Sequence, residues 1–268
     1  MGGGLGHLAR ARRVVEALHG HGSRTAILTA SPLAVGSDIV RVPRRLAGSA
    51  SAFGAWLKGA LRSLSPSAVV VDAFPLGILG ELADRTVLPD APLYHVARLL
   101  KWNAYREAFA GTPRRYEASF AVEPLTPGHK EFIASNSKVL RSMEFSFPSF
   151  SQKENPFRKK PVWLVVHSGS AAEVRSLIDF AYIKSLSEKA KPHFVVVVPR
   201  AFELPAGVER MEHARAWELF PHADRIVTGC GFNSMLEAGP WRAKHLFLPF
   251  ERRFDDQRLR ARRACAQN

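Results

Sequence analysis

Ala223-Asp224-Arg225-Ile226-Val227-Thr228-Gly229-Cys230-Gly231-Phe232-Asn233-Ser234-Met235-Leu236-Glu237-Ala238 decides the fold. A short run rich in β-branched residues, Arg225–Thr228, reads as a strand. Small residues from Gly229 to Gly231 then make a turn, and a helix is expected to begin near Asn233. A second apolar run, Leu246–Pro249, follows, and after it a loop carrying Asp255, Asp256 and Gln257. Strand, glycine turn, helix and strand form the repeating unit of an α/β protein with a mainly parallel sheet. The start of such a helix presents unpaired N–H groups and the positive end of the dipole, so the main chain at Asn233 and Ser234 can grip a diphosphate. Glu237 lies one helical turn deeper on the face of Asn233, because residues four apart are neighbours. A carboxylate there can accept both hydroxyls of a ribose. Asp256 and Gln257 offer polar atoms to sugar hydroxyls.

Outward from this segment, strand and helix patterns alternate along the whole chain. Strands are expected at Thr25–Thr29, Asp38–Val42, Ala68–Asp72, Pro92–Val96 and Tyr116–Val122, with helices notably at Leu8–His19 and Gly77–Arg85. A break from about Phe145 to Pro161, rich in proline and charge, reads as a linker. A second series then begins with strands Val162–His167 and His193–Val198, whose near-continuous apolar content suits burial on both faces. The expectation is two Rossmann-like domains, 1–150 on the acceptor side and 151–268 binding the nucleotide. A Rossmann unit normally starts with a strand that delivers the chain into its glycine turn. Here Met1 is followed at once by Gly2, Gly3 and Gly4, so the first domain lacks that strand, which favours a clipped N-terminus.

Two further glycine openings carry chemistry. Gly2-Gly3-Gly4-Leu5-Gly6-His7 runs into the helix at Leu8, and glycines let a ligand approach the main chain closely. His7 at the helix start can act as a proton acceptor near neutral pH. In the second half, His167-Ser168-Gly169-Ser170 links a strand to a helix starting near Ala172. That turn suits a phosphate, although Ser-Gly-Ser is also ordinary capping chemistry.

Composition narrows the class. The 268 residues are 46% hydrophobic and 23% charged, as in a soluble globular protein. No apolar run approaches the ~20 residues of a membrane span. Cys230 and Cys265 lack metal-type spacing and fit a reducing compartment, so a cytoplasmic location is expected. The formal net charge of +14 concentrates partly in clusters: Arg10, Arg12 and Arg13; Arg158 to Lys160; and Arg258 to Arg263. No nucleic-acid-binding motif accompanies them. The clusters read as a solvated basic face, with peripheral attraction to the anionic inner face of the membrane or to an anionic substrate.

Cys230-Gly231-Phe232-Asn233-Ser234 followed by Glu237 resembles the donor-binding signature of GT-B glycosyltransferases. Those include the MurG-type (family 28) N-acetylglucosaminyltransferases and the UDP-glycosyltransferases with a Cys-Gly-Trp-Asn-Ser-x-x-Glu pattern. Pro249 and the Asp256-Gln257 pair fall where those families place theirs. Gly2 to His7 looks like the first glycine loop of the MurG type, and Ser168-Gly169-Ser170 like its second. Val71-Asp72-Ala73-Phe74-Pro75 resembles, more weakly, the end of the fourth strand in related bacterial transferases.

The resemblance implies two Rossmann-like domains facing across a cleft. It assigns Glu237 to the ribose, and Asn233, Ser234 and Gly231 to the diphosphate, with Ser168, Gly169 and Ser170 close by. Asp256 and Gln257 would meet the donor sugar. Gly4, Gly6 and Asp72 would lie on the acceptor side, with His7 as the base. The implied reaction moves a hexose or N-acetylhexosamine from a UDP-sugar, as substrate, to an acceptor hydroxyl, with no metal and no cofactor. Its partners would be the nucleotide-sugar donor and an acceptor of lipid-linked or anionic type, with no specific nucleic acid. Hydrolysis of a UDP-sugar, as in the hydrolases of pseudaminic acid synthesis, is the alternative, and an inactive nucleotide-binding relative is another. Departures are Gly229, where the UDP-glycosyltransferases hold histidine, and Gly239-Pro240, displaced upstream so that the helix after Glu237 should be short. The chain stops at Asn268, and both ends look trimmed against the family.

Overall fold

Leu8, Ala11 and Val15 recur three and four residues apart, so helix α1 (Gly6–His19) turns one apolar face onto strands β1 (Ile27–Thr29) and β2 (Ile39–Arg41). The computed structural model describes residues 6–19, 24–145, 154–159, 161–199, 201–213 and 215–266, with side chains up to 16 in the first stretch. Two units divide the chain: Met1–Ser146 with Arg253–Asp256, and Phe147–Arg252 with Gln257–Asn268.

In the first unit, α2 (Ala50–Leu64), β3 (Val69–Asp72), β4 (Leu93–Ala97), α3 (Trp102–Ala108), β5 (Ala118–Ala121), α4 (Pro127–Ser135) and β6 (Leu140–Ser142) follow β2. Strands β3-β4-β5-β6 pair in parallel as one sheet, and β1-β2 as another. Leu61 of α2 packs with Val71, Leu82, Leu93 and Tyr116 beneath the larger sheet. Between β1 and β3 lies a cavity of about 580 Å³, lined by 24–31 on one side and 66–72 on the other. A Rossmann order would place the expected first strand there, and among the described residues no strand occupies it.

The expected helix Gly77–Arg85 is corrected to a single 3₁₀ turn, Glu81–Ala83. Gly77 and Gly80 both adopt φ of 83°, outside the helical region. The Glu81 side chain folds beneath them and accepts a hydrogen bond from the Leu79 N–H at 2.8 Å. Of the expected linker, residues 146–153 and 160 lie outside the described residues. Phe145 belongs to the first unit and the part described from 154 onward to the second, where Phe157 is buried in the core.

The second unit comprises β7 (Val162–Val166), α5 (Ala171–Ser185), β8 (His193–Val197), β9 (Val208–Met211), β10 (Arg225–Gly229), α6 (Phe232–Glu237), β11 (His245–Leu248) and α7 (Gln257–Cys265). Its five strands run parallel in the order β11-β10-β7-β8-β9. Val162 and Leu164 enter one core with Val195, Val197 and Ile226. Trp163 and Val165 enter another, with Val196 and Val227, against Val174, Leu177 and Ile178 of α5. Strands covered on both faces need apolar residues at every position, which is why they read as continuous runs. Helix α6 ends at Glu237, and a 3₁₀ segment, Gly239–Lys244, follows. Pro240 accounts for that early stop. Among the described residues, no helix is long and apolar enough to cross a membrane.

Candidate active site

The second unit's chain winds from β7 outward to β9, then crosses back to place β10 on the other side of β7. Doubly wound sheets take ligands in the crevice outside the strand ends at such a switch point. The turns leaving β7 and β10 are His167-Ser168-Gly169-Ser170 and Cys230-Gly231, the stretches singled out in the sequence. The first comes beside the end of β10 through the His167 ring, which lies next to Gly229. The His167 ring packs 5.1 Å from that of Phe250 and lies 2.9 Å from Glu173 through Nε2. A Cβ on Gly229 would stand 3.2 Å from the His167 ring and from Phe250, so glycine leaves room for both. A Cβ on Gly169 would fall 1.9 Å from the Glu173 carboxylate and 2.4 Å from His167 Nε2, so a side chain there would displace both from their present contact.

Ser170 caps α5: its hydroxyl accepts from the Glu173 N–H at 3.3 Å, and Glu173 accepts in return from the Ser170 N–H at 3.2 Å. The same carboxylate pairs with Arg252. Burial alone would raise Glu173, but Arg252 and His167 outweigh it and hold its pKa at about 2. His167 is pushed below its ordinary value by burial, which outweighs Glu173. Gly231 is the N-cap of α6 and no side chain caps that helix, while Asn233, Ser234 and Glu237 are half-buried along it. Cys230 is fully buried among Met235, Ala261 and Ala264. Its carbonyl accepts from Arg260 Nη1 at 2.8 Å. Gln257 is buried too, and its Oε1 accepts from the Phe250 N–H at 3.0 Å, closing the loop between them. Asp256 is half-buried and belongs to the first unit with Arg253–Asp256, so this adjacent pair is split between the units.

In the first unit, β3 ends at Asp72 and α1 begins at Gly6, and the two ends meet in an ionic cluster. His7 Nδ1 lies 2.7 Å from Asp72 Oδ2. Arg10, one turn along α1, donates from Nε to Oδ1 at 2.5 Å and from Nη2 to Oδ2 at 2.6 Å. Burial would raise the Asp72 pKa, but the Arg10 charge and the His7 hydrogen bond drive it far below the carboxylate range. Ala73 follows at φ 64°, and the Phe74 N–H bonds back to the Asp72 carbonyl at 2.8 Å. Such a three-residue turn is strained, and strain of this kind gathers at functional sites. It brings the Phe74 ring 5.8 Å from His7. On Phe74's other neighbours, Arg98 stands over the ring at 5.8 Å and pairs with Asp255.

Gly4 lies outside the described residues. His7 and Asp72 come together in the first unit, with Gly6 next to His7 at the start of α1, and in the second unit the loop after β7 comes beside Gly229 through the His167 ring. Sequence reading missed Arg10, Glu173 and Arg252. Arg10 was counted in a solvated basic face, yet it is 2% exposed, and Arg260 of another cluster is 7% exposed. That expectation is corrected for both: each cation faces an oxygen inside the fold. The signal was the spacing, since His7 and Arg10 are three apart on one helix face.

No protein-family model matches the sequence, and neither does any curated protein. Solved structures do match. Spinosyn forosaminyltransferase SpnP aligns with a TM-score of 0.59 at 16% identity, over 95% of this chain and 79% of its own. The glycosyltransferase of kitacinnamycin aligns at 0.58 and 14%, over 95% and 79%. Spinosyn rhamnosyltransferase SpnG, solved with thymidine diphosphate, aligns at 0.51 and 15%, over 83% of this chain and 63% of its own. This chain thus spans less than two thirds of that SpnG chain. At such identities the likeness is one of fold. The neighbours are GT-B glycosyltransferases, and the chain has their α/β fold.

Proposed function

We propose that the chain is a glycosyltransferase moving a hexose or N-acetylhexosamine from a nucleoside diphosphate to an acceptor hydroxyl, without a metal ion. The observation that carries the reading is the His7–Asp72 contact at the end of β3. With Nδ1–H donating to Asp72, Nε2 bears the lone pair and serves as a general base. It takes the hydroxyl proton as the acceptor oxygen attacks the anomeric carbon and the bond to the diphosphate breaks. Charge on the leaving diphosphate is assigned to the N–H groups around Gly231 to Ser234 and the Ser168–Ser170 loop. Glu237 is assigned to the ribose. Asp256 and Gln257 are assigned to the donor sugar, with Gln257 acting through its amide NH₂. The resemblance of the donor segment supports uridine as the base, and the SpnG complex makes thymidine the competitor to test. The net charge of +14 supports an anionic or lipid-linked acceptor and weak attraction to an anionic membrane surface.

Thermal-shift measurements with uridine, thymidine and guanosine diphosphates test the donor site, since a ligand of the native state raises the midpoint. Glu237→Ala is expected to abolish the shift. His7→Ala is expected to keep it and to lower turnover roughly 10²–10⁴-fold, the usual worth of a general base. Full nucleotide affinity in Glu237→Ala overturns the donor assignment. Rapid nucleotide release from a donor sugar with no acceptor present identifies a hydrolase instead.

A further inference from the structure

His7 is held by a carboxylate that is itself held by a third residue. We infer that Arg10 is a positioning residue that neutralises Asp72, leaving the His7 imidazole uncharged at pH values where a lone histidine–aspartate pair would keep the proton. The inference rests on the reading of His7 as the base.

The geometry is specific. Arg10 is 2% exposed and engages both oxygens of Asp72, at 2.5 and 2.6 Å. Its Nη2 also stands 3.1 Å from His7 Nδ1. An unneutralised carboxylate beside an imidazole favours the imidazolium. Here the carboxylate is already matched by a guanidinium, so a proton on His7 would add a second cation beside the first. Charges facing His7 are Asp72 from β3, Arg10 from its own helix, and Arg98 from the segment after β4. His95 of β4 lies near Asp72 and is itself kept neutral by burial, with a pKa of about 4. Burial of His7, with help from Arg10 and Arg98, outweighs Asp72 and holds the imidazole below its ordinary pKa. Asp72 thereby fixes the ring's orientation and tautomer without making it a strong base. A planar guanidinium suits this clasp because its fork spans both carboxylate oxygens, which an ammonium cannot do.

The test is a histidine-ring NMR titration of the full chain, with His7→Gln assigning the signal. In Arg10→Met the His7 midpoint is expected to rise by about one unit, the scale of shift a neighbouring charge produces. Arg10→Met leaves a half-buried carboxylate without its cation, so Arg10→Lys is measured beside it. Lysine keeps the charge but not the fork, and a rise of roughly half a unit is expected. A midpoint within about 0.2 units of the parent in the folded variants overturns the inference. The titration needs no turnover. A chain that transfers no sugar would sink the functional reading and leave the titration result intact. In an active enzyme the acid limb of the kcat/KM profile should move with the midpoint.

Discussion

In the second unit, the turn after β7 hangs from the middle of a five-stranded sheet whose strands are buried on both faces. In the first unit, the corresponding helix start at His7 adjoins a cavity of about 580 Å³ between β1 and β3. Each site nonetheless presents a histidine close to a carboxylate that also pairs with an arginine: His167–Glu173–Arg252 in one, His7–Asp72–Arg10 in the other. The difference is in what holds them. Glu173 lies in the first turn of a fifteen-residue helix that packs on the sheet by Val174, Leu177 and Ile178. Asp72 sits at an open strand end, and its clasp on Arg10 is what ties α1 to β3. An ion pair thus does in the first unit what sheet packing does in the second.

The largest effect should come from breaking that clasp. Asp72→Ala removes two charge-assisted hydrogen bonds from the Arg10 guanidinium, which is inside the fold although the carboxylate is half-buried, and is expected to cost roughly 2–3 kcal/mol. Amide exchange in α1 and β1 should accelerate while β7, β8 and β10 keep their protection. The counterpart Glu173→Ala removes a cap and is expected to cost only about 1 kcal/mol. Equal losses from the two would erase the contrast.

Acid should separate the units next. His129 is fully buried, stacked 4.3 Å from Trp102, and burial lowers its pKa to about 3. His95 joins it in the first unit, whereas His245, at about 3, is the counterpart in the second. A histidine with a lowered folded pKa leaves the unfolded chain binding more protons between that value and about 6.5, so stability falls as pH drops through this window. For His129 the loss from pH 6.5 to 5 is roughly 1.5 kcal/mol. Denaturant unfolding of His129→Phe, which keeps the aromatic stack, should show that much less sensitivity to pH over the same range. An unchanged pH dependence would mean the ring is protonated in the fold. The smallest effect is expected at Cys230. Cys230→Ala should cost about 1 kcal/mol for a small buried group and leave turnover intact. A tenfold loss of turnover at unchanged fold would instead give the thiol a chemical role.

Legibility followed burial. Strands β7, β8 and β10 are continuous in Val, Ile and Phe, so apolar runs found them. Strands β6 and β9 went unseen because each lies at a sheet edge and carries arginine in three or four residues: Leu140-Arg141-Ser142 and Val208-Glu209-Arg210-Met211. Edge strands need only one covered side, and charge there blunts further pairing. Helix α2 was also absent from the expectations, its Gly54 and Gly59 diluting the pattern; Gly54 packs 3.3 Å, at its would-be Cβ, from Val87. The helix expected at Gly77–Arg85 failed for the opposite reason, an apolar pattern overridden by two glycines at positive φ.

By itself the sequence determined the α/β class, the strand–turn–helix steps and the residues standing at the turns, because spacing and side-chain type act locally. It also determined the short α6, through Pro240. Which turns meet at the switch point, that Arg10 clasps Asp72, and that His167 fills the space beside Gly229 were decided only by the tertiary structure. Those facts join residues about 60 positions apart. A charge on an exposed helix face and a charge paired in a core look alike until the partner is brought within 3 Å.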